Sequence, residues 1–207
     1  MTILTRRFTD AVDYARIAHA PQVRKGSGIP YIYHLLGVAS LVLEYRGHED
    51  QAIAGLLHDV LEDCGDGHRA MIRAQFGDAV ANIVESCTDG TVESKAHAER
   101  TGSARDHWRE RKLAYLDHLR KVPESTLLVS GCDKLHNARA ILGDLSNKDV
   151  GDSVFERFTA KREDTLAYYE SLAEIFTARD APMASAFEDT VAQIHSRAKA
   201  SVRKPLS

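Results

Sequence analysis

With 207 residues, 43% of them hydrophobic and 28% charged, the chain suits one domain, 1–207, with a real apolar core. A net charge of −3 provides no global basic field for a nucleic-acid polymer, so an anionic partner has to be small and held by a local basic pocket. No apolar run approaches the roughly 20 residues that span a bilayer, and the opening M-T-I-L-T-R-R-F has no signal-peptide pattern; the expected setting is the cytoplasm, with no membrane partner.

Phe8, Ala11, Val12, Ala15 and Ala18 predict a first amphipathic helix, stopped by Pro21. The loop Q-V-R-K-G-S-G-I-P-Y follows, with Arg24 and Lys25 side by side ahead of two glycines. Adjacent cations in a glycine-loosened loop can meet a phosphate, although basic loop residues are commonly just solvated. Pro30 suits the first position of a second helix. Leu35, Leu36, Val38, Ala39, Val42 and Leu43 supply that helix's buried side, and His34 falls in its first turn.

The central stretch is I-A-G-L-L-H-D-V-L-E-D, from Ile53 to Asp63. Ile53, Leu56, Leu57, Val60 and Leu61 recur at the spacing of one helical face. On the opposite face His58 and Glu62 are one turn apart, as are Asp59 and Asp63, so an imidazole and three carboxylates share one arc. The turn before them on that arc holds only Ala52 and Gly55, which points to a partly buried helix rather than a solvated face. Buried carboxylates repel one another unless a cation sits among them. A metal site is the expected answer.

Gly65, Asp66 and Gly67 break that helix, and short helices follow to Phe76 and to Cys87. The polar stretch from Thr91 to Asp106 has no periodicity and reads as a long loop, either a lid or plain surface. Helical spacing resumes from Trp108 to Lys121. Pro123 ends it, and T-L-L-V-S-G-C-D-K-L-H-N-A-R follows, where Leu128, Cys132, Leu135 and Leu142 form the predicted stripe. Asp133 and Asn137 lie four apart on the other side, and Arg139 falls on the apolar side by the same count. A long helix is predicted through Phe155, Phe158, Leu166, Tyr169, Leu172 and Phe176, then a last one opened by Pro182, with a solvated basic tail from Arg197 to Lys204. Cys64, Cys87 and Cys132 form no CxxC pair and read as small buried hydrophobes. The predicted fold is all-α, a bundle of about eight or nine helices.

His34, the His58–Asp59 pair and Asp133 come from three different predicted helices, and bundle cores are where facing helices build metal sites. Two imidazoles and two carboxylates without a thiolate favour Mn²⁺ or Fe²⁺, with Zn²⁺ left open. The order H…HD…D resembles the HD-domain phosphohydrolases. More closely, R-K-G-S-G-I-P-Y-I-Y-H, L-L-H-D-V-L-E-D and D-K-L-H-N-A-R resemble the hydrolase domain of the RelA/SpoT family, over Ala15 to about Tyr169. With no synthetase or regulatory domain following, the likeness is to the stand-alone small alarmone hydrolases.

That resemblance implies hydrolysis of the 3′-pyrophosphate of ppGpp-like nucleotides. His34, His58, Asp59 and Asp133 would then be ligands to one divalent ion, and Glu62 and Asp63 the catalytic pair. Arg24, Lys25 and Asn137 would contact the nucleotide, and Lys161 is a further candidate for the phosphates. Two features depart from the family pattern: Ser130 stands where a lysine is usual, and the segment before Trp108 is long and polar. A phosphatase for NADPH or a 5′-nucleotide, and a non-catalytic nucleotide sensor, are the alternative readings.

Overall fold

The computed structural model describes residues 2–88, 104–200 and 202–206. Among these, ten α-helices and one 3-10 helix are formed: α1 (Arg6–Ala18), α2 (Ile32–Glu44), α3 (Glu49–Leu57), α4 (Val60–Cys64), α5 (His68–Phe76), α6 (Asp78–Cys87), α7 (Ala104–Leu119), α8 (Glu124–Ser146), the 3-10 helix (Gly151–Arg157), α9 (Lys161–Ala178) and α10 (Ala184–Arg197). The described residues contain no strand, only an isolated bridge between Val23 and Pro30. The all-α expectation holds. None of the described helices is long and apolar enough to cross a membrane.

The chain divides into two compact units, Met1–His97 with Val122–Asp133, and Ala98–Lys121 with Lys134–Ser207, so α8 contributes its first half to one and its second half to the other. In the first unit α3 is the hub, packing on α1, α2 and α6. Its residues Gln51 to Leu57 are all buried, the small ones included. At Gly55 it packs closely on α2, where a Cβ would just touch the Ala39 backbone at 3.4 Å. Ile53, Leu56 and Leu57 are fully buried, each worth about 1.5–3 kcal/mol of transfer free energy. Thr5 caps α1 by accepting from the Arg7 amide. Arg7 in turn clips α1 to Glu49 and Asp50 of α3 and to the Phe76 carbonyl.

In the second unit α9 packs against α10, α7 and the 3-10 helix. Phe176 and Phe187 meet edge to face with centroids 5.0 Å apart. Arg105 and Arg109 of α7 both donate to the buried Asp164 of α9.

Several local features differ from what the sequence predicts. The helix predicted to run unbroken through Ile53 to Asp63 is interrupted at His58–Asp59, which form a turn between α3 and α4. Pro30 precedes α2 in the Val23 bridge instead of opening the helix. Within α2, Leu36 is exposed and Leu41 takes the buried place. On α8 the stripe passes through Leu135, Ala138, Ile141 and Leu145 rather than Leu142. Three-residue steps fall about 60° short of a full turn, so the stripe rotates away from Arg139, which is exposed. The long helix through Phe155 is split, because Phe158 is extended (φ −107°, ψ 139°) between the 3-10 helix and α9. The basic tail is tied down: Arg203 pairs with Glu170 and Glu188, and the Leu206 amide donates to Ser171 Oγ. Cys87 and Cys132 are buried thiols as expected, whereas Cys64 is half-buried. Most of the Thr91–Asp106 stretch, read as a loop, lies outside the described residues; from Ala104 it is already helix.

Gly47 turns the chain from α2 into α3 with no room for a side chain. A Cβ there would sit 2.5 Å from Val42 Cγ1 and 2.9 Å from the Val42 carbonyl oxygen. Gly47→Ala should therefore cost about 1–3 kcal/mol in urea unfolding. Gly67→Ala, with nothing within 4 Å of the new methyl, should change stability by less than about 0.5 kcal/mol.

Candidate metal centre

The site grows out of the break between α3 and α4. In a continuous helix the Gly55 carbonyl would accept from the Asp59 amide. Here it lies 2.9 Å from His58 Nδ1, which donates to it. The side chain of His58 thus takes over a backbone acceptor, the helix opens for one turn, and Asp59 (φ −93°, ψ −5°) begins α4. A carbonyl can only accept, so the proton sits on Nδ1 and Nε2 is turned inward, the arrangement in which a neutral imidazole offers a lone pair to a metal.

Three other elements of sequence meet that nitrogen. His34, in the first turn of α2, is fully buried and its ring centroid is 5.3 Å from that of His58. His58 Nε2 lies 3.0 Å from Asp59 Oδ2 and 3.5 Å from Asp133 Oδ1, and His34 Nε2 lies 3.6 and 3.2 Å from the same two oxygens. Asp133 is the last residue of the first unit, so all four side chains belong to that unit. The ligating atoms of His34, His58 and Asp59 all fall within 4.8 Å of one another. Although the oxygens are close, His58 Nε2 makes no hydrogen bond of acceptable geometry and is shut off from solvent.

The donor set fits a divalent cation. Two neutral imidazoles and two carboxylates carry a formal charge of −2, and burying that charge uncompensated is costly. In the protein alone a proton does part of this work. Burial disfavours the His58 imidazolium, but the charges of Asp59 and Asp133 outweigh it and hold His58 well above the usual 6.5. Burial likewise pushes Asp59 up, yet the charge of His58 and the closeness of both imidazole nitrogens pull it well below the usual 3.8.

Sequence reasoning missed the residues that brace this centre. Tyr31 O–H donates to Asp59 Oδ2 at 2.7 Å. Burial first, then the charges of Asp59 and Asp63, keep that phenol protonated. Gln22 Nε2 donates to Asp63 Oδ2 at 2.8 Å, and His19 lies behind both. The signal was present: Tyr31 precedes His34 by three residues, so the two lie on one side of the helix start.

Glu62 and Asp63 are half-buried on α4, and the Asp63 amide bonds to the Asp59 carbonyl at 2.9 Å, one turn back. Arg24 is half-buried with its guanidinium carbon 5.6 Å from the Tyr31 ring centre, a cation–π contact, and Lys25 is exposed. Their loop closes through Arg24 N to the Ile29 carbonyl and Tyr31 N to the Gln22 carbonyl, with Gly26 and Gly28 at φ +81° and +69°. Asn137, half-buried on α8, and Lys161, exposed at the start of α9, both belong to the second unit. Ser130 is buried with its Oγ 3.4 Å from Cys87 Sγ.

The fold is helical, and its His34, His58–Asp59 and Asp133 side chains face inward onto one point. The HD-domain family model matches residues 11–166, running through both units. The chain belongs to the HD-domain family. Its resemblance to the RelA/SpoT hydrolases is also borne out. It is 35% identical over 133 residues to the Xenopus tropicalis guanosine-3′,5′-bis(diphosphate) 3′-pyrophosphohydrolase MESH1, covering 63% of this chain and 66% of that protein. It is 34% identical over 139 residues to a probable guanosine-3′,5′-bis(diphosphate) 3′-pyrophosphohydrolase of Synechocystis, covering 67% of this chain but 17% of the relative. The match thus covers about two thirds of the one and about a sixth of the other. Among solved structures, the Listeria monocytogenes protein lmo0812 superposes with a TM-score of 0.62 at 27% identity, covering 80% of this chain and 99% of that one. A metazoan ortholog of SpoT superposes with a TM-score of 0.58 at 24% identity, covering 86% and 98%, and shares the fold.

The charge balance predicts a pH signature. A group whose folded value is raised stabilises the fold below its unfolded value and ceases to do so as pH climbs through the raised one. In EDTA the protein should therefore lose stability as pH rises from about 6.5 through the elevated value of His58. Saturating Mn²⁺ should abolish that loss, because the ion replaces the proton. Thermal unfolding across pH with and without the metal checks it; parallel curves would refute the assignment.

Proposed function

We propose that this chain is a metal-dependent 3′-pyrophosphohydrolase of guanosine or adenosine 3′,5′-bis-polyphosphates such as ppGpp, releasing pyrophosphate. The observation that carries the reading is the buried His34, His58, Asp59 and Asp133 cluster, with nitrogens and oxygens 3.0–3.6 Å apart, beside the acidic pair on α4. The named activities of the curated relatives supply the substrate class. Residues 1–207 are taken as one hydrolase domain, since the family model spans both units. The expected setting is the cytoplasm, with a diffusible nucleotide as partner.

His34, His58, Asp59 and Asp133 would hold one divalent ion, with Mn²⁺ or Fe²⁺ preferred by the N/O donor set. When bound, that ion supplies Lewis acidity and lowers the pKa of water from about 16 towards 7. Glu62, one turn from His58, orients the attacking water and takes its proton. The water oxygen bonds to the phosphorus attached to the 3′ oxygen, and the bond from that phosphorus to the 3′ oxygen breaks. Asp63 manages the proton required by the departing 3′ oxygen. Arg24, fixed over Tyr31, and Lys25 meet the nucleotide, while Asn137 and Lys161 are proposed to reach its ribose and phosphates.

Incubation with Mn²⁺ and a panel of ppGpp, ppApp and NADPH, with products resolved by chromatography, tests the reading. Pyrophosphate from the bis-polyphosphates is expected; orthophosphate from NADPH, or no turnover at all, would overturn it. In the same assay Glu62→Gln should lower kcat by about 10²–10⁴-fold while metal binding persists. Asp59→Asn should lose both metal and turnover, and equal metal loss in the two variants would reject the division of roles.

A further inference from the structure

One imidazole outside the proposed ligand set stands behind both acidic groups of the site. His19 follows the last turn of α1, is 3% exposed, and reaches in two directions. Its Nδ1 lies 2.6 Å from Gln22 Oε1, and Gln22 Nε2 donates to Asp63 Oδ2 at 2.8 Å. Its ring stacks on Tyr31, with centroids 5.0 Å apart and planes at 22°, and Tyr31 O–H donates to Asp59 Oδ2.

The direction of the first chain follows from what each group can do. An ionised carboxylate only accepts, so the amide of Gln22 must turn its NH₂ to Asp63. Its carbonyl oxygen then faces His19, which leaves His19 Nδ1 as the donor. Each orientation dictates the next, and the amide has no second arrangement that satisfies both ends while Asp63 is ionised.

Asp63 needs such a brace because α4 is only five residues long and ends against Gly65 at φ +105°. A helix of that length cannot hold its last turn by its own hydrogen bonds. Two side-chain links tie this end to the end of α1: the Gln22–Asp63 bond, and the Cys64 thiol donating to the Ala18 carbonyl at 3.4 Å. Cys64 Sγ also lies 3.6 Å from His19 Nδ1, so the imidazole is enclosed on that side as well.

We infer that His19 and Gln22 are positioning residues: His19 donates through Nδ1 to lock the Gln22 amide onto Asp63, and by stacking it holds Tyr31 against Asp59. The kinetic part of this inference rests on the proposed hydrolase reading; the hydrogen-bond direction does not.

Two measurements separate them. In ¹⁵N-histidine spectra of the wild-type protein, the His19 ring should carry its proton on Nδ1. An Nε2–H tautomer would overturn the inference whether or not the protein hydrolyses anything. Kinetically, Gln22→Ala and His19→Phe (which keeps a ring for stacking and drops the donor) should each lower kcat by about 10–100-fold, the usual effect of removing an outer partner. KM and Mn²⁺ affinity, read by competition with a fluorescent chelator, should stay within about threefold of wild type. His19→Asn, which presents an amide N–H where Nδ1 stood, should recover most of the kcat lost in His19→Phe. Unchanged kcat in Gln22→Ala, or no recovery in a folded His19→Asn, would overturn the positioning role. Should wild-type protein show no turnover on any nucleotide, the hydrolase reading falls and the tautomer alone decides the network.

Discussion

Two carboxylates and two imidazoles, largely withdrawn from water within one helical unit, impose the constraint on which the rest depends. The oxygens of Asp59 and Asp133 lie within 3.6 Å of both His34 and His58 nitrogens, and only Asp59 retains appreciable contact with solvent. Such a cluster is tenable only if a positive charge sits inside it. A proton on His58 is a partial answer, since it neutralises one charge of two. A divalent ion matches both, and the orientation of His58 Nε2 is already set for it by the Gly55 carbonyl. Local structure, electrostatics and the proposed chemistry meet at that one hydrogen bond.

The break between α3 and α4 shows why function interrupts regular structure here. The helix yields a backbone acceptor to the His58 side chain, and at the turn so formed Asp59 stands with its Oδ2 3.0 Å from His58 Nε2. The cost falls on α4, left as a five-residue helix that depends on outside anchors. These come from the segment between α1 and α2, where Gln22, Tyr31 and Arg24 serve Asp63, Asp59 and the basic loop in turn. One short loop thus braces the metal-type centre and presents the cations proposed to meet substrate.

Much of this was legible in the sequence. The periodicity of Ile53 to Leu61 marked the buried hub, and small residues at Ala52 and Gly55 signalled that the ionic arc was not a solvated face. The H…HD…D order picked out four side chains that the fold brings together. Less legible was anything decided by side chain against backbone. Periodicity assumes an unbroken helix, so it could not register the His58–Gly55 bond that divides α3 from α4. Nor could it register the drift of the α8 stripe that leaves Arg139 outside, or the ion pairs of Arg203 that fix the tail. Tyr31, Gln22 and His19 escaped notice because their roles lie in what they touch, and those contacts cross 28 to 41 residues of sequence for Tyr31 and Gln22.

Diffraction from crystals soaked in Mn²⁺, recorded where manganese scatters anomalously, tests the central claim most directly. A single strong peak should appear among His34 Nε2, His58 Nε2, Asp59 and Asp133, at coordination distances of roughly 2.0–2.6 Å. No peak there at millimolar metal, or an ion held elsewhere with these four side chains unmoved, would contradict it.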